Sequence, residues 1–227
     1  MENLPVYISV FFGLTTLVSI ALFWKATHYS KSFLAILLFW IGIQTALSLS
    51  GFYKVNSTLP PRFTLALLPI IVLIIVTFLS KRGRTFMDSL DGKTLTIFSV
   101  IRIPVEIVLF LLFTHKAIPE LITFEGRNFD ILSGITAPII YYFGFVKKRL
   151  NKTILLIWNF VCLGLLLNVV FYALLSIPSP IQQFAFDQPN IAVAYFPFIL
   201  LPSCLVPMVL FSHLVVIRQL LTSKLYF

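Results

Sequence analysis

Seven long apolar runs alternate with short polar stretches along the chain. They cover residues 5–24, 33–53, 63–79, 95–115, 131–146, 153–176 and 191–214. Each run is continuous and close to the roughly 20 residues that an α-helix needs to cross a hydrocarbon core. The strands of a membrane barrel would instead alternate over short segments. In lipid the backbone has to satisfy its hydrogen bonds internally, and continuous runs do so as helices. The pattern predicts an all-α membrane protein with seven transmembrane helices, forming one polytopic domain over residues 1–227.

The polar stretches predict the orientation. Lys25, Lys31, Lys81, Arg82, Arg84, Lys93, Lys147, Lys148, Arg149, Lys152, Arg218 and Lys224 fall on one side of this layout. Only Lys54, Arg62, Lys116 and Arg127 fall on the other. Basic loops stay in the cytoplasm, which puts the N-terminus outside and the C-terminus inside. Composition agrees: hydrophobic residues make up 59% of the 227 and charged residues 11%, against about 25% charged in soluble domains. The net charge of +9 then reflects cytoplasmic loops and implies no nucleic-acid partner. Met1-Glu2-Asn3 lacks the basic start of a cleaved signal peptide, so the first run reads as a retained helix.

Two charges sit inside the fourth run. Arg102 and Glu106 are four residues apart and share a helix face with Ser99. Each costs about 2.5–3.5 kcal/mol at bilayer depth on insertion scales. Arginine ahead of glutamate is the weaker order for a helical pair, so partners on other helices are expected. By depth these are Gln44, Asn159 and Asn168. Pro104 stands between the two charges and frees the carbonyl of Val100. Together these residues form the candidate site for a small molecule or ion. The plainer alternative is an ion pair that fixes helix packing.

Prolines mark two further helices. Pro197, Pro202 and Pro207 recur at five-residue spacing in the seventh run, which predicts a broken helix with freed carbonyls at Val193, Phe198 and Ser203. The short fifth run holds Gly134 and Pro138. Interrupted helices in corresponding halves point to a binding site. Residues 116–130 mix polar and apolar positions and can fold back on the bundle as a lid. Glu125, Arg127, Asp130 and Asp187 form a candidate outer vestibule. Asn128 or Asp130 is placed to cap the fifth helix and Asp187 the seventh.

The first and last three runs share short matches in the same order. Gly13-Leu14-Thr15 pairs with Gly134-Ile135-Thr136, Ile36–Trp40 with Ile154–Trp158, and Leu67-Leu68-Pro69 with Leu200-Leu201-Pro202. Phe78 and Phe211 follow nine residues beyond the prolines. Both halves start outside, which predicts parallel three-helix units over 5–80 and 131–220, linked by a helix over 95–115.

Several chemistries lack their residues. The last run has no lysine for a retinal Schiff base, and His28, His115 and His213 do not pair at one depth for haem. No set has zinc-site spacing. Gly92-Lys93-Thr94 lacks the earlier glycine of a phosphate loop. Cys162 and Cys204 read as small apolar fillers. No cofactor is implied. Asn56-Ser57-Thr58 is a glycosylation triplet, relevant only in a eukaryote.

The runs Thr123-Phe124-Glu125-Gly126-Arg127-Asn128-Phe129-Asp130-Ile131-Leu132-Ser133-Gly134 and Phe184-Ala185-Phe186-Asp187-Gln188-Pro189-Asn190 resemble a family of uncharacterised integral membrane proteins common in the Bacteroidota. The resemblance implies an inner-membrane location and brings no known activity. The seven-helix outline is also similar to sugar-efflux transporters of the SWEET type and to microbial opsins. The chain lacks the Pro-Gln pairs of the former and the lysine of the latter, so that likeness concerns architecture alone.

Three functions remain open on the sequence. The first is binding or transport of a small molecule or ion through the site on the fourth helix. The second is a scaffold or sensor subunit with an unknown protein partner. The third is a lipid- or isoprenoid-modifying enzyme, with Glu106 as acid/base assisted by Glu125 and Asp130.

Overall fold

The protein is described by a computed structural model covering residues 4–55, 58 and 60–222. Met1-Glu2-Asn3, the Asn56-Ser57 pair of the glycosylation triplet and Lys224 of the basic side lie outside the described residues. Among the described residues all regular structure is helical. Helix α1 spans Val6–Ala26, α2 Lys31–Leu49, α3 Thr64–Leu79 and α4 Lys81–Ser89. Helix α5, Gly92–Phe98, runs through a 3-10 turn at Ser99–Ile101 into α6, Arg102–Thr114. Helix α7, Ile131–Tyr141, ends in a π-turn at Tyr142–Val146. Helix α8 spans Lys152–Leu175, and α9, Val206–Leu221, follows a π-turn at Leu201–Leu205.

Five helical segments are long and apolar enough to cross a membrane: Val6–Ala26, Lys31–Leu49, Gly92–Thr114, Lys152–Leu175 and Leu201–Leu221. A sixth forms if α3 and α4, which meet at a 94° bend, count as one span. The segment Ile131–Val146 is apolar but shorter.

Local chemistry explains the boundaries. Ser30, Ser80, Asp91 and Asn151 each accept a backbone N–H in the first turn of the helix they precede, the usual way of satisfying those donors. At the 94° bend Arg84 Nη1 donates to the carbonyls of Phe78 (3.2 Å) and Leu79 (2.8 Å), closing the end of α3. Pro104 falls in the first turn of α6, where its missing N–H is tolerated; the 3-10 turn just before it absorbs the geometric change.

The seventh run departs from expectation. Residues 191–200 hold only a 3-10 turn at Ala192–Ala194, and helical structure starts at Leu201 and continues to Leu221. Pro197 therefore lies outside any helix and kinks none. A residue before proline is pushed away from the α region, which favours the irregular entry. The carbonyl freed by Pro207 behaves as predicted: Ser203 O accepts the Trp40 indole N–H at 2.8 Å.

Helix α9 is the most deeply buried span and α2 the most exposed. Helices α5 and α6 lie between α1 and α7. The aromatic rings of Phe23 and Phe98 meet edge-on at 5.4 Å, and those of Phe12 and Phe198 lie 5.4 Å apart. At one end of the bundle Asp91 N donates to Ala26 O (2.9 Å), and Gln219 Nε2 donates to Met87 O and Leu90 O (2.8 Å each). At the other end Ile191 N and Ala192 N donate to Ala117 O, and Ser48 Oγ to Ala194 O. Residues 116–130 fold back onto this second end, burying Ile118, Ile122, Thr123 and Asn128.

Candidate functional site

Where α6 begins and α7 begins, six polar side chains meet inside the bundle. Arg102 (2% exposed), Glu106 (2%), Asn128 (0%), Asp130 (4%), Asn159 (1%) and His213 (2%) are all buried. Two helices bring the charges together. Gly134 makes the approach of α7 possible: a Cβ there would lie 2.8 Å from Ile103 Cγ1 and 3.4 Å from Arg102 Cβ. Such a separation is shorter than two carbons tolerate.

Arg102 Nη1 lies 3.0 Å from Asp130 Oδ1, an ion pair. Arg102 Nη2 lies 3.0 Å from His213 Nε2, and His213 Nδ1 lies 2.9 Å from Asn159 Oδ1. A guanidinium only donates, so His213 Nε2 accepts. The proton of a neutral imidazole then sits on Nδ1 and is donated to Asn159. Asn159 Nδ2 in turn donates to Leu155 O at 2.8 Å. The chain from Arg102 to Leu155 has one consistent set of donors and acceptors. Trp158 flanks His213, with ring centroids 5.7 Å apart.

Glu106 is served by Asn128. The Asn128 amide nitrogen lies 2.7 and 2.8 Å from the two Glu106 carboxylate oxygens and 3.0 Å from Ile122 O. An amide nitrogen has two hydrogens, so with one directed at Ile122 the carboxylate receives the other. Asn128 Oδ1 accepts Asp130 N at 2.9 Å. One asparagine thus ties the backbone of Asp130 to the carboxylate of Glu106.

Glu106 and Asp130 also line a cavity of about 80 Å³, otherwise walled mainly by apolar groups such as Val105, Leu109, Leu166 and Pro202. A buried water needs roughly 10–15 Å³ of such space, so the cavity takes a few water-sized groups. A neighbouring cavity of about 150 Å³ contains Tyr53, Lys54 and Tyr195 and shares the walls Phe63, Ile177 and Asn190 with the first. The two adjoin across those shared walls, the second lying toward residues 53–54 and 190–195.

The sequence-derived candidates are distributed as follows. Arg102, Glu106 and Asn159 belong to one network, with His213 bridging Arg102 and Asn159. Ser99 is buried, and its hydroxyl has no hydrogen-bond partner. Gln44 stands apart and accepts the Tyr53 hydroxyl at 2.7 Å. Asn168 holds the outer connection by donating to Arg127 O at 2.7 Å. The Arg127 side chain is exposed and meets the Tyr172 hydroxyl at 3.0 Å. Glu125 and Asp187 are exposed and make no part of the network. Asp130 lies inside rather than in a vestibule, and its carboxylate does not cap α7. Arg102, at the start of α6, claims it instead. Asp187 lies far ahead of the start of helical structure at Leu201 and caps nothing there.

Sequence reasoning left out His213 and gave Asn128 only a capping role. The signal for His213 was the end of its helix. With the seventh run closing at 214, His213 sits at the membrane edge; with α9 reaching Leu221 it sits well inside. Among the described residues no group of three or more His, Cys, Asp or Glu side chains is placed to hold a metal.

No curated protein and no solved structure matches the chain. Residues 60–221 match a family described as a domain of unknown function, DUF8737. That stretch holds α3 to α9 and every member of the polar network. The chain belongs to the DUF8737 family.

Proposed function

We propose that the protein is a seven-span membrane protein that binds a proton or small monovalent cation at Glu106 and Asp130, as part of ion or small-molecule transport. The reading rests on one observation. Two buried carboxyls share a cavity, Asp130 pairing with Arg102 and Glu106 held by the neutral Asn128, and the adjoining histidine is held neutral by its hydrogen bonds. With both carboxyls ionised the cluster would carry an uncompensated negative charge. Burying a lone charge is strongly unfavourable, so a proton or cation restores neutrality. The cavity's size favours an ion over a metabolite at this position.

The seven spans, with α3 and Ile131–Val146 completing the count, follow from the alternation of the connections between two ends. The basic end, with Lys81, Arg82, Lys147 and Lys148, is placed in the cytoplasm of a bacterial inner membrane. The cavity beside Asn190 and Lys54 then lies on the outer side. A second reading, a scaffold whose charges register helix packing for a protein partner, is favoured by the closed hydrogen-bond chain through His213 and Asn159.

Full-length protein in liposomes, loaded with a pH-sensitive dye and exposed to a proton or sodium gradient, separates the two. Ion-driven dye response above protein-free liposomes, abolished in both Glu106→Gln and Asp130→Asn, is the expected result. Responses identical in wild type and both variants would overturn the ion-binding reading and leave the scaffold.

A further inference from the structure

A second and larger cavity, about 450 Å³, lies between α2 and α3 and is floored by α9. Its walls include Phe33, Leu37, Trp40, Ile74, Met208 and Phe211. Ile36 and Leu73 also line it and are 65% and 53% exposed, so the cavity opens sideways through the surface that faces lipid. It shares no lining residue with the Glu106 cavity. The cavity's lining is mainly apolar and holds no charged residue; exposed basic residues flank it at one end. There Ser30 and Ser32 line it on either side of the exposed Lys31, and Phe86 lines it from α4, the helix that opens with the exposed Lys81 and Arg82.

We infer that this groove is a binding site for an anionic membrane lipid: one acyl chain lies against Trp40, Leu37 and Ile74, and the phosphate headgroup is held by Lys31, Lys81 and Arg82. Charge complementarity selects this occupant. An apolar helix from a partner protein would fill the groove without using the cationic rim, and a zwitterionic lipid would gain little from it. Basic side chains near a membrane surface attract anionic headgroups, and an apolar channel of this width suits a flexible chain. Lys81 and Arg82 open α4 at the 94° bend from α3, and Arg84 fixes the bend by closing Phe78 O and Leu79 O.

Trp40 reports on occupancy. Full-length protein is placed in phosphatidylcholine nanodiscs doped with brominated-chain phosphatidylglycerol or brominated-chain phosphatidylcholine, and tryptophan quenching is followed against mole fraction. The Trp40 contribution is the difference between wild type and Trp40→Phe. Half-quenching is expected at a clearly lower mole fraction of the glycerol lipid. The preference should shrink about fivefold for each of Lys31→Gln, Lys81→Gln and Arg82→Gln. Ile74→Phe, which fills the groove, should lower Trp40 quenching by either lipid. Equal quenching by the two headgroups in wild type overturns the proposal without reference to any variant. So does a preference that survives removal of all three basic side chains.

Discussion

The bundle holds two arginine–carboxylate pairs with the same closest separation and very different surroundings. Arg102 Nη1 meets Asp130 Oδ1 at 3.0 Å with side chains 3% and 5% exposed. Arg218 Nε meets Asp88 Oδ1 at 3.0 Å with side chains 22% and 13% exposed, and its Nη2 adds a contact to Oδ2 at 3.2 Å. The second pair has the better fork geometry. It ties α9 to α4 at the basic end, where water competes for both partners. The first pair has one close contact, and neither Nε nor Nη1 of its guanidinium makes a hydrogen bond. Distance alone therefore ranks neither pair. Burial does, because an orphaned charge is expensive only where solvent cannot reach it.

The largest effect expected from this contrast is at Arg102. Arg102→Ala leaves Asp130 and His213 facing an empty position and should destabilise the protein by about 3–5 kcal/mol, read as loss of thermal stability in detergent. The double variant Arg102→Met/Asp130→Leu should recover part of that loss, since no unpaired charge remains and only the neutral His213 Nε2 lacks its donor. Failure of the double variant to improve on the single would show that the pair contributes more than mutual neutralisation.

Next comes Gly134→Val, which drives side-chain atoms into Ile103 and the Arg102 stem. Overpacking of this kind costs about 1–3 kcal/mol. The same variant should lower the ion response described for Glu106 and Asp130, since α7 carries Asp130. A Gly13→Val change at the matching position of the first half should do little, because nothing lies within 4 Å of a Cβ there. Smaller again is Trp40→Phe, which removes the donor to Ser203 O and should cost about 1 kcal/mol. Least of all, Arg218→Ala should cost no more than about 1 kcal/mol, the ceiling for a solvent-reached pair, and should weaken further as a factor when salt is raised.

The matched glycines and tryptophans also limit what the internal sequence matches teach. Trp40 donates to the backbone of Ser203 near α9, whereas Trp158 donates to the Thr136 hydroxyl on α7 at 2.9 Å. Gly134 is jammed against α6 and Gly13 is open. Residues at matching sequence positions therefore sit in different environments.

The helical character of the apolar runs was legible because hydropathy directly reports length in lipid. Residues 131–146 and the region near 64–79 follow the pattern closely. The seventh helix was not, because 191–200 is apolar yet irregular, and hydropathy cannot tell a buried coil from a helix. Its far end was misplaced too, at 214 rather than Leu221, and that boundary hid His213. The cost of burying Arg102 and Glu106 pointed to partners elsewhere in the chain; of those named, Asn159 meets Arg102 only through His213. Gln44 and Asn168 were chosen by depth, which leaves the direction of a side chain around its helix unspecified. Asn128 and Asp130 looked like cap residues because that is the commonest use of those residues before a helix. Only the folding of 116–130 onto the bundle turns both inward.

The central claim is that the Arg102–Glu106–Asp130 cluster keeps one proton or cation to stay neutral. Infrared spectroscopy of the full-length protein in lipid, in neutral buffer whose only cation is N-methylglucamine, tests it most directly. That cation is too large for the cavity, so a proton has to do the balancing. The account predicts a protonated-carboxyl stretching band that disappears in Glu106→Gln/Asp130→Asn and that added sodium does not increase. A wild-type spectrum with every carboxyl ionised would contradict it.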